Sequence, residues 1–106
     1  MEKGKYIQVF TSVAKKSDAE KIAKTLVNKK LSACVQIIGP MESIYKWKRK
    51  LQKSKEWLLV IKTKRNLYKK LEKEIKRIHP YQIPEIIALP IIKGSKEYLN
   101  WLNKEV

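Results

Sequence analysis

The sequence has very few of the residues that build disulfide bridges, metal centres and catalytic triads. Its 106 residues include one cysteine, Cys34, one histidine, His79, and one aspartate, Asp18. A single cysteine excludes a disulfide bridge within the chain and is typical of proteins from a reducing compartment. A structural zinc site needs four ligands, and a Ser-His-Asp triad needs motif support that this chain does not offer. We therefore expect a protein that is not an enzyme.

Glycine and long apolar segments are scarce as well. Three glycines leave no Gly-rich phosphate-binding loop. No apolar run approaches the roughly 20 residues that a membrane-spanning helix needs, and residues 1–5 lack the apolar core of a signal peptide. We therefore predict a cytoplasmic protein with no membrane partner. The hydrophobic fraction of 43% and the chain length fit one globular domain over residues 1–106.

Lysine and arginine are present in large excess. There are 25 of them against 10 acidic residues, which gives a net charge of +15. Such an excess is typical of proteins that bind nucleic acid, an anionic membrane or small anionic ligands. A lysine-rich surface that keeps a protein soluble produces the same number. Because the basic residues are spread over the predicted helices and strands, the second interpretation is favoured, and nucleic acid or a small anion stays a candidate partner.

The first third of the chain predicts a strand followed by a helix. Residues 6–13 are rich in β-branched and aromatic side chains, which predicts a strand. Ser17 and Glu20 match a capping box, in which each side chain accepts a hydrogen bond from the backbone of the other residue. Apolar residues at helical spacing follow this box and predict an amphipathic helix over about 18–30.

The last third of the chain predicts a helix, a strand and a second, shorter helix. The first helix covers about 66–78, with Asn66 as its cap. The strand covers 85–89, and the short helix begins near Ser95. With two central strands, the order is βαββαβ followed by a helix. This is the order of an α+β, ferredoxin-like sandwich.

The two central strands are unusually long. Residues 31–47 and 51–63 both have strand character, and the basic turn 48–50 joins them. The first strand has seventeen residues; at about 3.3 Å each they span roughly 55 Å, whereas a compact domain of this length is only roughly 35 Å across. The hairpin must project or bend, and Gly39-Pro40 is the expected bulge. Its distal part carries apolar residues that one chain cannot cover, which predicts an oligomer built through the hairpin.

Five segments together resemble one known family along nearly the whole chain. They are LSACVQ at 31–36, SIYKW at 43–47, KT at 62–63, HPYQIPE at 79–85 and YLNWL at 98–102. This combination resembles the CutA divalent-cation-tolerance family. The resemblance implies a homotrimer that pairs through the long hairpins, similar to the PII trimers that bind anionic effectors. It also implies a non-enzymatic metal-response or signalling role in tolerance to copper and other divalent cations.

Two segments of this sequence depart from the family pattern. Many members have a glycine in the hairpin turn, whereas this chain has Lys48-Arg49-Lys50, so we expect a longer or looser turn. Copper binding in bacterial members is attributed to a cysteine at the end of the first strand and to a pair of histidines. The corresponding residues here are Phe10, Ile78 and His79, so one of the three ligands is present.

Two groups of residues are therefore candidate sites. The first consists of His79 and Cys34, whose imidazole and thiolate groups suit copper or another divalent cation. The alternative roles are a histidine that ends a helix and a small buried side chain on a strand. Trimer symmetry could bring three copies of either residue together. The second group binds anions at the hairpin tip and consists of Lys46, Lys48, Arg49 and Lys50.

The hairpin tip permits a second function as well. Basic residues beside the aromatic Trp47 could hold phosphates and stack a base. A charged sheet edge that prevents aggregation has the same composition. The alternative to a metal-tolerance role is therefore an anion- or nucleic-acid-binding module on a PII-like trimer.

Overall fold

The computed structural model describes residues 5–106 as one antiparallel sheet with three α-helices. The elements, in chain order, are β1 (Tyr6–Val13), α1 (Lys16–Asn28), β2 (Cys34–Trp47), β3 (Lys50–Lys64), α2 (Tyr68–Ile78), β4 (Ile87–Pro90) and α3 (Lys96–Glu105). The strand order in the sheet is β2-β3-β1-β4, and the predicted α+β, ferredoxin-like fold is confirmed.

The hydrophobic core lies between one face of the sheet and the helices α1 and α2. Alternate residues of β1 and β3 point into it, among them Val9 and Leu59, which are fully buried. Leu26 of α1 and Leu71 of α2 close it from the other side. Each such side chain contributes about 1.5–3 kcal/mol through burial. The core therefore covers one face of the sheet with α1 and α2, whereas the opposite face keeps several exposed apolar residues.

The opposite face of the sheet is called here the open face. Because successive side chains of β1 and β3 point to opposite faces of the sheet, Phe10 and Leu58 lie on the open face, and both are half-buried. Their partners in neighbouring strands are Ile87 and Ile38, which share the same face because paired residues do so. Leu89 of β4 lies beside Ile87 in the same way. The result is an apolar row across the sheet.

The hairpin formed by β2 and β3 extends well beyond the rest of the sheet. Pairing between β1 and β3 stops at Val13 and Trp57, so residues 50–56 of β3 pair with β2 alone. At about 3.3 Å per residue this part is roughly 23 Å long. The described residues measure 45 × 25 × 23 Å, which fits one projecting element. The predicted projection of the hairpin is thus confirmed.

The predicted bulge at Gly39-Pro40 is also present. The pairing register of β2 and β3 shifts between Ile38 and Met41, and the two intervening residues have no partner in β3. A Cβ atom on Gly39 would lie 2.8 Å from Cε3 of the Trp57 ring. Glycine is therefore required here because the bulged backbone passes directly over an aromatic side chain.

The turn of the hairpin is tight, and the prediction of a longer or looser turn was wrong. Trp47 pairs with Lys50, so Lys48 and Arg49 alone form the turn. Both have positive φ values, 53° and 67°, as a type I′ turn requires. This turn matches the twist of the flanking strands, and their continuous pairing outweighs a cost of about 1–2 kcal/mol for each non-glycine residue.

Two of the predicted helix caps were wrong. Helix α1 begins at Lys16, and the first helical hydrogen bond joins Ala19 N to Lys15 O, so Ser17 lies inside the first turn and cannot cap it. Asn66 lies in a short 3₁₀ turn before α2, whose capping position is Leu67. The start of α3 near Ser95 was predicted correctly. There the Ser95 hydroxyl accepts a hydrogen bond from Tyr98 N at 3.2 Å.

Candidate functional site

His79 lies directly after α2 and is buried against the end of β1. Its Nε2 lies 2.9 Å from the carbonyl oxygen of Ser12, and its Nδ1 accepts a hydrogen bond from Tyr81 N at 3.1 Å. Because Nδ1 accepts, the proton is on Nε2, and the ring is neutral. Burial lowers the pKa of His79 and favours this neutral form. Both ring nitrogens are thus used by backbone groups of the same chain.

A buried carboxylate lies beside this histidine. Glu56 of β3 is 7% exposed, and its Oε2 accepts a hydrogen bond from the Tyr81 hydroxyl at 2.7 Å. The Ser12 hydroxyl donates to the same oxygen at 3.4 Å. Burial, and then the hydrogen bond to Glu56, raise the pKa of Tyr81. We call Ser12, Glu56, His79 and Tyr81 the Glu56 cluster.

The Glu56 cluster joins three parts of the fold. It connects the end of β1, the point on β3 where the hairpin leaves the sheet, and the chain after α2. The rings of His79 and Tyr81 also meet edge to face, with centroids 4.8 Å apart. Sequence reasoning did not find this cluster. The available signal was the segment HPYQIPE at 79–85, which contains both the histidine and the tyrosine of the cluster.

Cys34 lies at a different place in the sheet. It is half-buried at the start of β2 and pairs with Lys62 of β3. Ser32 stabilises this corner, since its hydroxyl lies 2.9 Å from the carbonyl oxygens of both Cys34 and Lys62. His79 is anchored at Ser12, which pairs with Leu58, four residues along β3 from Lys62. That separation is about 13 Å, so one chain does not bring the two candidate ligands together.

The surroundings of these residues do not fit a metal centre within one chain. In residues 5–106, no three His, Cys, Asp or Glu side chains come together as a possible ligand set. Phe10 and Ile78, at the other positions of the resembled copper site, have no donor atoms. Ile78 packs against the core instead. The assignment of His79 and Cys34 as metal ligands stays a prediction that would need several chains.

The residues of the hairpin tip, defined as 46–51, are all exposed. The ion pairs found in the described part of the chain involve other cations, and the closest along the hairpin joins Lys53 to Glu42 at 3.3 Å. Lys48 and Arg49 form the turn itself, and Lys46 and Lys50 flank it. The four predicted anion-binding residues therefore lie together at one end of the molecule.

No helix within residues 5–106 has the length and apolar composition to span a membrane.

The comparisons with known proteins agree with this architecture. The family model described as "CutA1 divalent ion tolerance protein" matches residues 7–105. The divalent-cation tolerance protein CutA of Thermus thermophilus is 43% identical over 96 residues, which are 91% of this chain and 93% of that protein. A CutA1 structure from Shewanella sp. SIB1 superposes with a TM-score of 0.94 at 38% identity, covering 98% of this chain and 97% of that chain.

Some relatives are longer than this chain. The chloroplastic CutA protein of Arabidopsis thaliana is 43% identical over 91% of this chain, but the match covers only 53% of that protein. The shared part is thus the ferredoxin-like domain with its long hairpin. The family match over nearly all described residues and the relatives above 40% identity agree on one assignment. The chain belongs to the CutA1 divalent ion tolerance protein family.

Proposed function

We propose that this chain works as a homotrimer of the PII type, assembled through its long hairpins and the open face of its sheet. The observation that supports this proposal is the uncovered apolar row on that face. Ile38, Ile87 and Leu89 are 56%, 52% and 53% exposed. Tyr45 adds exposed aromatic surface on the hairpin. Exposed apolar residues grouped on one face of a sheet are typical of a protein interaction site.

We propose further that the chain acts in divalent-ion tolerance without catalysis and without a metal site inside one chain. Two observations support the absence of a metal site inside one chain. His79 is neutral and both of its ring nitrogens are hydrogen-bonded, and Cys34 lies at a distant place in the sheet. A trimer would also carry 3 × 15 = +45 charges. Such a field lowers the local concentration of Cu²⁺ and raises that of anions. Signalling, or binding of an anionic species, therefore explains metal tolerance better than scavenging does.

We also propose that the protein is located in the cytoplasm. Cys34 has no disulfide partner in the described chain, which suits the reducing cytoplasm.

The assembly is tested by light scattering coupled to size-exclusion chromatography. Three chains of 12.5 kDa should give 3 × 12.5 = 37.5 kDa at micromolar concentration. Ile87→Lys should lower this mass, because it places a charge in the proposed interface while leaving the monomer core intact. The matched control is Val27→Lys, which alters an exposed apolar residue of α1 on the other side of the sheet. A wild-type mass of one chain would refute the proposal.

The metal proposal is tested by calorimetry with Cu²⁺. We compare wild type with His79→Gln and Cys34→Ser, each checked for folding by circular dichroism. Equal binding heats for wild type and His79→Gln are expected, because the imidazole nitrogens are already bonded to backbone groups. One tightly bound ion per chain that disappears in His79→Gln would contradict the proposal. One ion per three chains that disappears in Cys34→Ser would instead indicate a copper site built by the assembly.

A further inference from the structure

We propose that the hairpin tip is a binding surface for the phosphate backbone of single-stranded nucleic acid. The surface consists of Lys46, Lys48, Arg49 and Lys50, with Trp47 between the first two. This inference is independent of the metal-tolerance role and uses the end of the hairpin, beyond Tyr45 and the apolar row that the proposed assembly would cover. Its basis is the charge, the backbone conformation and the aromatic residue at the tip.

The positive charge at the tip is not neutralised by neighbouring acidic groups. All four cations are exposed, and the three ion pairs identified in residues 5–106 use Lys29, Lys53 and Arg77. The nearest carboxylate along the hairpin is Glu42, which is engaged with Lys53 at 3.3 Å. Four cations within five residues at a projecting end therefore form a concentrated positive field.

The conformation of the turn shows that these side chains are present despite an energetic cost. Lys48 and Arg49 both have positive φ values, a region that glycine and asparagine occupy far more easily. The turn type alone would favour Asn-Gly. Two basic residues in these positions hold their charges at the extreme end of the ribbon, away from the rest of the chain. The turn itself does not require charge at these two positions, so both charges are available for binding.

The position of the aromatic residue favours nucleic acid over a membrane surface. Trp47 is 40% exposed and pairs with Lys50, so the indole and an ammonium group share one face of the ribbon. This arrangement suits a base stacked beside a bound phosphate. A hairpin that inserts into a membrane would have its apolar residues at the apex, whereas here the apex is Lys48-Arg49. Leu51 is exposed on the opposite face.

The test measures binding of a labelled oligothymidylate of about 16 nucleotides by fluorescence anisotropy at several salt concentrations. The test variant is Lys48→Asn/Arg49→Gly, which removes two charges and installs the residues that the turn prefers, so loss of folding is not expected. The matched control is Lys69→Gln/Lys70→Gln on α2. It removes two exposed lysines from a region far from the tip and keeps helix propensity.

The tip variant should bind at least about tenfold more weakly at about 50 mM salt. The slope of log affinity against log salt concentration should become shallower by about 0.7 for each lost phosphate contact, or about 1.4 for each chain that contacts the oligonucleotide. The control variant should bind within about twofold of wild type. Equal losses in both variants would overturn the proposal, because they would reflect diffuse charge. Absence of oligothymidylate binding at low salt would also overturn it. So would binding to phosphatidylserine vesicles without binding to the oligonucleotide, which would assign the tip to a membrane.

Discussion

The tight turn of the hairpin makes a quantitative prediction about stability. Replacing Lys48 and Arg49 by Asn and Gly should stabilise the chain, because both positions have positive φ values of 53° and 67°. Lysine and arginine in this region cost about 1–2 kcal/mol each, whereas asparagine and glycine occupy it more easily. Glycine also destabilises the folded state by roughly 0.5–1 kcal/mol, because it gives the unfolded chain more conformational freedom. The net gain should be about 1–2 kcal/mol in the free energy of unfolding per chain.

The measurement is urea unfolding followed by circular dichroism at a fixed protein concentration, since the proposed assembly would make stability depend on concentration. Lys48→Ala/Arg49→Ala is the matched control. It removes the same two charges but keeps two β-carbons in the left-handed region, so it should gain only from reduced charge repulsion. The Asn-Gly variant should therefore exceed the Ala-Ala variant by about 1–2 kcal/mol. Equal stability of the two variants would refute the reasoning, because charge alone would then explain the effect.

Three further predictions concern buried polar groups. Tyr81→Phe should cost about 1–3 kcal/mol because it removes the 2.7 Å donor to the buried Glu56. Tyr68→Phe should cost less, because the Tyr68 hydroxyl donates at 3.3 Å to Glu72, which is less buried. Burial lowers the pKa of His79, so the unfolded chain binds more protons than the folded chain. The stability of the wild type should therefore fall as the pH drops below about 6.5. The variant His79→Gln should lose this pH dependence when urea unfolding midpoints are compared. Thr11→Val should leave stability unchanged or raise it by about 1 kcal/mol in thermal unfolding, since the buried Thr11 hydroxyl has no hydrogen-bond partner within the described chain.

The parts of the fold that follow local patterns could be predicted from the sequence. The alternation in β1 and the helical spacing in α2 report burial directly, because one face of each element meets the core. The bulge at Gly39-Pro40 was predictable because proline cannot donate a hydrogen bond within a regular ladder. The predicted strands are longer than the expected diameter of a compact domain with this number of residues, and this comparison was enough to predict that the hairpin projects.

The features that sequence reasoning missed depend on distant contacts. The turn was expected to be loose from its residues, but the pairing of the two strands up to Trp47 and Lys50 imposed the tight form. The Glu56 cluster joins residues separated by 44 and 25 positions, so no local pattern could indicate it. Ser17 had the right spacing for a cap, but the chain enters α1 two residues before the predicted start.

The Glu56 cluster also explains why, among residues 5–106, the buried Glu56 has no ion-pair partner in a chain with 25 lysine and arginine residues. Burying a lysine beside Glu56 would require removing a second charge from water, which costs several kcal/mol per ion. The hydroxyl groups of Tyr81 and Ser12 satisfy the carboxylate as neutral donors. The same cost of burying charge keeps His79 neutral, with each ring nitrogen hydrogen-bonded to a backbone group. A divalent cation at His79 would have to break such a bond within a strongly positive protein, and this is the physical reason for our proposal of a site built between chains or a signal carried by an anion.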